Sequence, residues 1–371
     1  MTIYFLNLIW AILSEFLLNF TNFSRRNKDK IYLLINFLPM MIMSGLRKAG
    51  VGSDSGMYYG LFMGMTDDSF SSRIEDVEYL IDITGKDNLP EAGFYLFAAL
   101  IHMVSENGQV FFFLYSVVVL TGFAWFFYKN SSSMWISTVF FIGMGFFVET
   151  FNTMRQCMGI MVMCVAYTVL QSNRSIISKC LAIFATRFHN SLLVMLPFFF
   201  FGKLTKKKTI IIIMMGLFLT LALYVIGQNL AFFLGDIKYI LYLANINQPR
   251  NLLHLFKIIF FVPFIIYGIK YCEGRDSNKI YFSSICVAAS CCITFLQCFE
   301  LLIFQRLFMT YAIFICILAP WVLLDCSRNM LQDKNIILFS IVWMVIFLVL
   351  YVHLYGYLHN TFANFEYQLY N

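Results

Sequence analysis

Residues 148–197 read VETFNTMRQCMGIMVMCVAYTVLQSNRSIISKCLAIFATRFHNSLLVMLP, and this stretch decides both the class of fold and the position of the candidate site. It consists of two hydrophobic runs, each with a group of strongly polar residues: Asn152, Arg155 and Gln156 at the head of the first, and Arg187, His189 and Asn190 inside the second. An arginine inside a bilayer costs roughly 2.5–3.5 kcal/mol on insertion scales, so a charge in such a position marks a functional site by default. We therefore predict one anion-handling site that faces a water-accessible cavity.

The composition of the whole chain is that of a membrane protein. Of its 371 residues, 60% are hydrophobic and only 12% are charged, whereas a soluble domain carries about 25% charged residues. Apolar runs of about 18 or more residues recur along the chain, and their continuity excludes the alternating pattern of a membrane β-barrel. We predict an all-α polytopic integral membrane protein that forms one transmembrane domain over residues 1–371.

The apolar runs predict about 10–12 transmembrane helices, some of them re-entrant or broken. The full spans are expected at roughly 3–20, 31–46, 109–128, 134–151, 154–171, 209–228, 252–271, 280–299, 306–325 and 336–355. Two further apolar stretches, 92–105 and 180–201, are expected to be partial: the first is too short to cross, and the second returns between two basic loops as a broken hairpin or two short helices.

The basic loops predict the orientation of the chain. Loops rich in Lys and Arg face the cytoplasm, which puts the basic loop 21–30 inside and the N-terminus outside. Segment 47–91 then becomes an external loop, and Ser72-x-x-Glu75 within it predicts a short amphipathic helix. Treating 92–105 as re-entrant keeps every later basic loop inside and places Arg155 and Arg306 on the outer side.

The arginines are the candidate anion-binding residues. A guanidinium keeps its charge and offers five donors in a fork that suits phosphate oxygens. Arg155 and Arg306 lie at outer span ends, where the alternative is an ordinary side chain that reaches the interface. Arg187 is harder to explain in that way, because it lies well inside an apolar stretch. Glu300 and Gln305 accompany Arg306 in the sequence.

Three further positions complete the candidate site. His189 could act as a general base towards a sugar hydroxyl, the alternative being a polar residue satisfied within a helix bundle. Arg47 and Asp54 lie just outside the second span, either as substrate contacts or as ordinary juxtamembrane charges. Glu91 opens the re-entrant segment, either as an acid at a helix start or as a contact to substrate.

We expect no metal and no cofactor. None of the ten cysteines forms a CxxC pair, so they are interpreted as small apolar packing residues. Asp67 and Asp68 lie in a polar loop without a cluster of further ligands. No nucleic-acid partner is expected, and membrane lipids surround the chain.

Several motifs resemble the EpsG-like, Wzy-type polysaccharide polymerase family. The quoted stretches are GLRKAGVGSDSGMYYG (45–60) with LPEAGF (89–94), FNTMRQ (151–156) with ATRFHNSLLVMLP (185–197), and QRLFMTYAIFICILAP (305–320). Each motif is short, and their order and spacing carry the resemblance. The chain departs from the usual E-P-G form at Glu91-Ala92-Gly93, which weakens a role for that turn.

The resemblance implies a GT-C-like fold and an enzyme that joins repeat units of O-antigen, as in lipopolysaccharide, or of another surface polysaccharide. Its substrates would be undecaprenyl-diphosphate-linked oligosaccharides, as donor and acceptor, at the periplasmic face of the bacterial inner membrane. Such transfer would proceed without metal, with Arg47, Arg155 and Arg306 on diphosphate or sugar and His189 near the acceptor. The resemblance also implies interaction with a chain-length regulator.

Two other functions remain open from the residues alone. A flippase or transporter of the same lipid-linked oligosaccharide would use the same cationic cavity, but it should show repeat symmetry of its spans, which we do not see. A membrane acyltransferase acting on surface sugars could use His189 as a base, but it would need no cluster of arginines.

Overall fold

A computed structural model of the chain describes residues 2–52, 54–65, 92–233, 253–271, 276–297 and 303–362. The chain divides into two compact units, one formed by residues 1–199 and 344–371 and the other by residues 200–343. The prediction of a single transmembrane domain is not tested by this division.

The described residues are helical and contain no β-strand. The first unit holds α1 (Thr2–Asn19), α2 (Arg25–Gly45), α3 (Ser55–Met63), α4 (Ala92–His102), α5 (Gly108–Asn130), α6 (Met134–Gly143), α7 (Phe146–Asn152), α8 (Met154–Gln171), α9 (Ser175–Ala185) and a 3₁₀ segment (Asn190–Phe200). The second unit holds α10 (Lys206–Phe233), α11 (Leu253–Tyr271), α12 (Ser277–Gln297), α13 (Ile303–Ala312) and α14 (Ile315–Gln332). Helix α15 (Ile336–Phe362) begins in the second unit and ends in the first.

The prediction of an all-α polytopic membrane protein is confirmed. Among the described residues, α5, α12 and residues Ile336–Gly356 of α15 are long and apolar enough to cross a membrane. Helices α6 and α7 pass the same test together as one span bent by 51°. The larger number of spans predicted from the sequence, and the GT-C likeness, stay predictions.

Helix α5 is the spine of the first unit. Its fully buried side chains lie at the spacing of one helix face, with Val119 between two groups of aromatic residues: Phe111, Phe112 and Tyr115, and then Phe123, Phe126 and Phe127. Phe127 packs against Phe37 of α2 with ring centroids 6.1 Å apart, and Phe123 packs against Phe141 of α6 at 5.2 Å. Packed rings thus join α2, the second half of α5, and α6.

Pro39 removes one backbone hydrogen bond from α2, but the carbonyl that loses its partner accepts a hydrogen bond from another group. A proline has no N–H to offer the carbonyl four residues earlier, which here belongs to Ile35. The indole Nε1–H of Trp10 on α1 donates to that carbonyl at 3.1 Å. The side chain of a neighbouring helix therefore replaces the lost bond, as is required in a lipid surrounding.

The second unit is built around α12. This helix is 78% buried over its most apolar window, and small residues let its neighbours approach closely. A Cβ on Gly268 of α11 would lie 3.3 Å from Ile280 and 3.4 Å from Ser284 of α12. Such close packing of small residues is typical of helices that associate in membranes.

The structure corrects several predicted boundaries. The basic loop predicted at 21–30 is helical from Arg25 onward, since Lys and Arg are good helix formers. The predicted span 306–325 is broken between α13 and α14, and the predicted span 134–151 is broken at Gly145, whose φ of 77° ends α6 and starts α7. The predicted amphipathic helix near 72–85 lies outside the described residues, whereas α3 was not predicted.

The two partial stretches have the predicted character. Helix α4 has 11 residues, about 16 Å at 1.5 Å per residue, half of a bilayer core. Stretch 180–201 consists of the end of α9 and the 3₁₀ segment, separated at residues 186–189. Whether either stretch re-enters the membrane stays a prediction.

Candidate functional site

The site is organised around the break between α7 and α8. Helix α7 ends at Asn152, and α8 begins at Met154. Arg155 therefore lies in the first turn of α8, and its side chain is half-buried. A single residue, Thr153, separates the two helices, so the polar residues on both sides of it are held close together.

Two tyrosine hydroxyls hold the guanidinium of Arg155. Its Nε donates to the hydroxyl of Tyr58 at 3.4 Å, and its Nη1 donates to the hydroxyl of Tyr95 at 3.3 Å. The guanidinium carbon also lies 5.7 Å from the centre of the Tyr58 ring. Both tyrosines are buried, so the orientation of Arg155 is fixed by residues of α3 and α4. These contacts place a half-exposed cation in a defined position.

The glycine-rich stretch 45–60 packs onto the end of α7. Gly52 has a φ of 105°, and a Cβ there would lie 2.9 Å from Oδ1 of Asn152. Ser55 donates from its Oγ to the carbonyl of Phe151 at 2.7 Å. Only glycine fits this position, because a side chain would meet both the strained backbone and the Asn152 amide. Asp54 is half-buried at the N-cap position of α3.

The turn 186–189 packs onto the start of α4. The N–H of Gly93 donates to the carbonyl of Arg187 at 2.9 Å, and a Cβ on Gly93 would lie 3.0 Å from that same oxygen. The side chain of Arg187 is exposed. Gly93, the last residue of Glu91-Ala92-Gly93, is therefore a glycine because a larger residue would clash with the backbone of Arg187.

The same turn also packs onto α8. A Cβ on Gly159 would lie 3.1 Å from the carbonyl of Ala185 and 3.3 Å from Cβ of Phe188. Gly159 follows Arg155 by four residues, so the two lie on one face of α8. The turn that carries Arg187 and His189 is thus on the face of α8 that also carries Arg155.

His189 is engaged with the start of the 3₁₀ segment. Its Nδ1 lies 2.7 Å from Oγ of Ser191 and accepts the N–H of Ser191 at 3.2 Å. This is the arrangement of a helix cap, in which a side chain accepts from the first backbone N–H groups. Oδ1 of Asn190, the next residue, is buried without a hydrogen-bond partner in the described part of the chain.

Comparison with known proteins identifies the family to which the chain belongs. The chain matches the EpsG family over residues 30–369. This chain belongs to the EpsG family. Membership supports, in general terms, a polysaccharide-polymerase-like glycosyltransferase. No curated protein and no solved structure matches the chain.

The guanidinium of Arg47 lies inside the packed core of this EpsG-family protein. Arg47 is fully buried, donates to the carbonyl of Ser44, and lies over the ring of Phe112 with its guanidinium carbon 4.1 Å from the ring centre. Its Nη2 contacts Sδ of Met154 at 3.5 Å. This geometry is that of a side chain that positions the start of α8, and direct contact of Arg47 with substrate stays a prediction.

The structure describes only some of the other predicted site residues. Asn152 and Gln156 are buried, with exposed fractions of 4% and 3%. Gln305 and Arg306 lie on α13 of the second unit, and their side chains are not described. Glu91 and Glu300 lie outside the described residues, as do Asp67 and Asp68. No group of three potential metal ligands occurs within the described ranges.

Sequence reasoning missed Tyr58, Tyr95 and Ser191. Tyr58 lies within the motif GLRKAGVGSDSGMYYG, and Tyr95 directly follows LPEAGF, so both stood beside stretches already singled out. Their position in or beside these motifs was the feature of the sequence that could have identified them as partners of Arg155. The described cysteines are all free thiols, and several, such as Cys157 and Cys164, are fully buried as predicted.

Proposed function

We propose that this protein is a Wzy-type polymerase. It would join undecaprenyl-diphosphate-linked oligosaccharide repeat units into O-antigen or another surface polysaccharide at the periplasmic face of the bacterial inner membrane. The observation that carries the proposal is the convergence on Arg155: residues of stretch 45–60, of α4 and of the turn 186–189 all pack around the start of α8.

The chemistry asks for a held cation where negative charge develops. A hydroxyl of the acceptor sugar forms a bond to the anomeric carbon of the donor glycan while the bond to the diphosphate breaks. The charge that accumulates on the departing diphosphate would be stabilised by a guanidinium already fixed in place, through charge-assisted hydrogen bonds to phosphate oxygens. Arg155 suits this role because Tyr58 and Tyr95 fix its orientation before any ligand arrives.

A second cation supports the same ligand class. The side chain of Arg187 is exposed next to Gly93, and the turn that carries it packs on the Arg155 face of α8. A guanidinium carried by this turn would give a diphosphate a second cation, which an uncharged sugar would not require. The parts proposed for Arg306 and Glu91 in ligand binding rest on the sequence, as does interaction with a chain-length regulator.

The test is elongation by the purified protein. The full chain is reconstituted in bilayers with undecaprenyl-diphosphate-linked repeat units isolated from the cells in which it is native, and the glycans are separated by size. We expect a ladder of longer glycans from the unmodified chain. Arg155→Ala should reduce elongation about 10²–10³-fold, the cost of removing one preorganised donor.

The matched control is Arg26→Ala. Arg26 also donates from its Nε to a tyrosine hydroxyl, that of Tyr128 at 3.4 Å, but it is exposed at the start of α2. It should leave the ladder within about twofold of the unmodified chain, as is usual for an exposed side chain away from such features. A normal ladder in both Arg155→Ala and Arg306→Ala would refute the proposal.

The same preparation separates the rival functions. A flippase would move the lipid-linked unit across the bilayer without lengthening the glycan. An acyltransferase would add an acyl group to the sugar when an acyl donor is supplied, again without elongation. Either result in place of a ladder would contradict polymerase function.

A further inference from the structure

The connection that leads into α10 carries four lysines. Lys203, Lys206, Lys207 and Lys208 lie close together in the sequence, and we call them the lysine cluster. Lys203, Lys207 and Lys208 are exposed, whereas Lys206 is half-buried. Within the described ranges, Lys203, Lys207 and Lys208 form no ion pair with a carboxylate. Three exposed cations therefore lie side by side without an acidic partner from this part of the chain.

The backbone of the lysine cluster is held by two neighbouring helices of the second unit. The N–H of Leu204, a buried residue, donates at 3.0 Å to Oδ1 of Asn278 in the first turn of α12. Nζ of Lys206 donates at 3.2 Å to the carbonyl of Lys270 in the last turn of α11, where lysine side chains favourably satisfy the final carbonyls of a helix. Lys206 thus fixes the segment that carries the three exposed lysines.

This arrangement brings like charges together. Nζ of Lys208 donates to the carbonyl of Lys203 at 3.5 Å, so the side chain of one lysine lies against the backbone of another. The lysines at 206–208 also occupy the first turn of α10, where the helix dipole disfavours positive charge. The backbone there is already capped, because Oγ1 of Thr205 accepts the N–H of Lys208 at 3.3 Å. An anion bound by the lysine side chains would relieve the repulsion among them.

A second basic group, at the start of α2, differs in having partners within the protein. Nη2 of Arg25 donates to the carbonyl of Ser132 at 3.0 Å. The carboxylates of Glu15 and Asp29 both attract Arg25, and Glu15 also attracts Lys28. The cations of the first unit are therefore balanced by neighbouring carboxylates, whereas the exposed cations of the lysine cluster need an anion from outside the chain.

The residues beside the lysine cluster indicate where that anion comes from. Ile210 and Ile211, which follow the cluster on α10, are apolar and exposed, as are Met214 and Met215 one turn further along. Tyr271, at the end of α11, is also exposed, and tyrosine is enriched at membrane–water interfaces. An exposed apolar helix face that begins where the lysines end is typical of a bilayer surface, where clustered lysines bind anionic headgroups.

We propose that the lysine cluster binds the headgroup of an anionic phospholipid of the surrounding bilayer. The phosphate oxygens would accept hydrogen bonds from the ammonium groups of Lys203, Lys207 and Lys208. The acyl chains would lie along the exposed face of α10 that begins at Ile210 and Ile211. A lipid with net negative charge, such as phosphatidylglycerol, fits this site, whereas the lysines would repel the quaternary ammonium of phosphatidylcholine. The binding does not depend on glycosyl transfer.

The test is lipid binding by the full chain. The chain is purified in a neutral detergent and titrated with phosphatidylglycerol or phosphatidylcholine, and the bound lipids are counted by native mass spectrometry. Each lysine near an anionic lipid contributes about fivefold to binding. We therefore expect the triple variant Lys203→Gln/Lys207→Gln/Lys208→Gln to bind phosphatidylglycerol at least about tenfold more weakly than the unmodified chain. Its binding of phosphatidylcholine should be unchanged.

The matched control removes the same charge from the start of α2. We expect Arg26→Gln/Lys28→Gln/Lys30→Gln to keep phosphatidylglycerol binding within about twofold, as is usual for substitutions away from a site. An equal loss in the two triple variants would show a general effect of net charge and overturn the proposal. Unchanged binding in the lysine-cluster variant, or equal binding of the two lipids by the unmodified chain, would overturn it as well.

Two further measurements separate lipid binding from folding and from binding of a soluble anion. Lys207→Gln alone changes an exposed side chain and should weaken phosphatidylglycerol binding about fivefold, with an unchanged melting temperature in phosphatidylcholine discs. A loss of binding that only accompanies a lowered melting temperature would contradict the proposal. Inorganic phosphate at the same concentration as the lipid should not displace phosphatidylglycerol, because it has no acyl chains to lie along α10. Displacement would show a site for soluble phosphate instead.

Discussion

Arg47 and Arg155 lie near each other in the first unit, yet their surroundings differ in kind. Arg47 is fully buried, and its guanidinium is covered by the rings of Phe112 and Phe151, at 4.1 and 5.0 Å from their centres. Arg155 is half-buried and is held at two tyrosine hydroxyls. Met154 links them, because its sulfur contacts Arg47 and its backbone starts the helix of Arg155.

The comparison shows that the free-energy cost of placing an arginine in the bilayer does not tell whether that arginine contacts a ligand. Insertion energy treats all arginines in a bilayer alike. Arg155 was singled out on that ground, whereas Arg47 was singled out because it lies just outside the predicted second span. The neighbours of the two residues differ accordingly: ring faces and a main-chain carbonyl surround the buried Arg47, whereas phenol groups orient the half-buried Arg155. The first arrangement stabilises the fold around α8, and the second suits a ligand.

The largest expected effect on stability is at Arg47. Arg47→Ala leaves a cavity in the packed core and removes a hydrogen bond and ring contacts, and we expect a loss of about 2–5 kcal/mol in the free energy of unfolding, as for other large buried side chains. Thermal unfolding of the purified chain in bilayer discs measures it. Elongation per folded molecule should fall far less than in Arg155→Ala. An abolished ladder with an unchanged melting temperature would instead show that Arg47 contacts the substrate.

The next effect is expected at Gly93. In Gly93→Ala the new Cβ would meet the carbonyl oxygen of Arg187 at 3.0 Å and its carbon at 3.2 Å, and neither backbone atom can move independently of the turn. We expect a loss of about 1–3 kcal/mol in stability, typical of overpacking, and reduced elongation because the turn carrying His189 shifts.

Gly60→Ala is the matched control for Gly93→Ala. A Cβ on Gly60 of α3 meets no atom within 4 Å. Alanine is a better helix former than glycine by up to about 1 kcal/mol, so this variant should unfold at the same or a higher temperature. Equal behaviour of the two variants would refute the proposed close contact between α4 and the turn.

The smallest effects are expected at the two tyrosines. Tyr58→Phe and Tyr95→Phe each remove one hydroxyl acceptor from Arg155 but keep the ring, so we expect a loss of elongation of about three- to tenfold for each. In Arg155→Ala neither tyrosine variant should have a further effect, because coupled residues are not additive. If Tyr58→Phe or Tyr95→Phe lowered elongation by the same factor in the Arg155→Ala background as in the unmodified chain, the hydroxyl would act on the ligand or the fold independently of Arg155.

Much of the fold follows from the sequence, because apolar length sets where helices lie. The predicted span 109–128 is α5, Gly108–Asn130, and the break predicted around Arg187 and His189 lies between α9 and the 3₁₀ segment. The predicted boundary between the basic loop 21–30 and the second span was wrong. The charged residues were taken to mark a loop, although Arg25 and its neighbours form helix readily.

The candidate site was only half visible in the sequence. Charges such as Arg155 stand out against an apolar background, but Tyr58 and Tyr95 are two of 21 tyrosines and carry no such contrast. The hydrogen bonds of His189 depend on the backbone of Ser191, which no residue pattern reveals. Contacts of that kind arise only when the turn 186–189 is folded against α4 and α8.

The most direct test of the diphosphate site is a density map of the full chain in a lipid disc with bound undecaprenyl diphosphate. If Arg155 holds the departing group, phosphate oxygens should lie at about 2.7–2.9 Å from its guanidinium nitrogens, the range of charge-assisted hydrogen bonds. Arg155→Ala should lose that density while the rest of the map is unchanged. Diphosphate density away from Arg155, or density that persists in Arg155→Ala, would contradict the proposal.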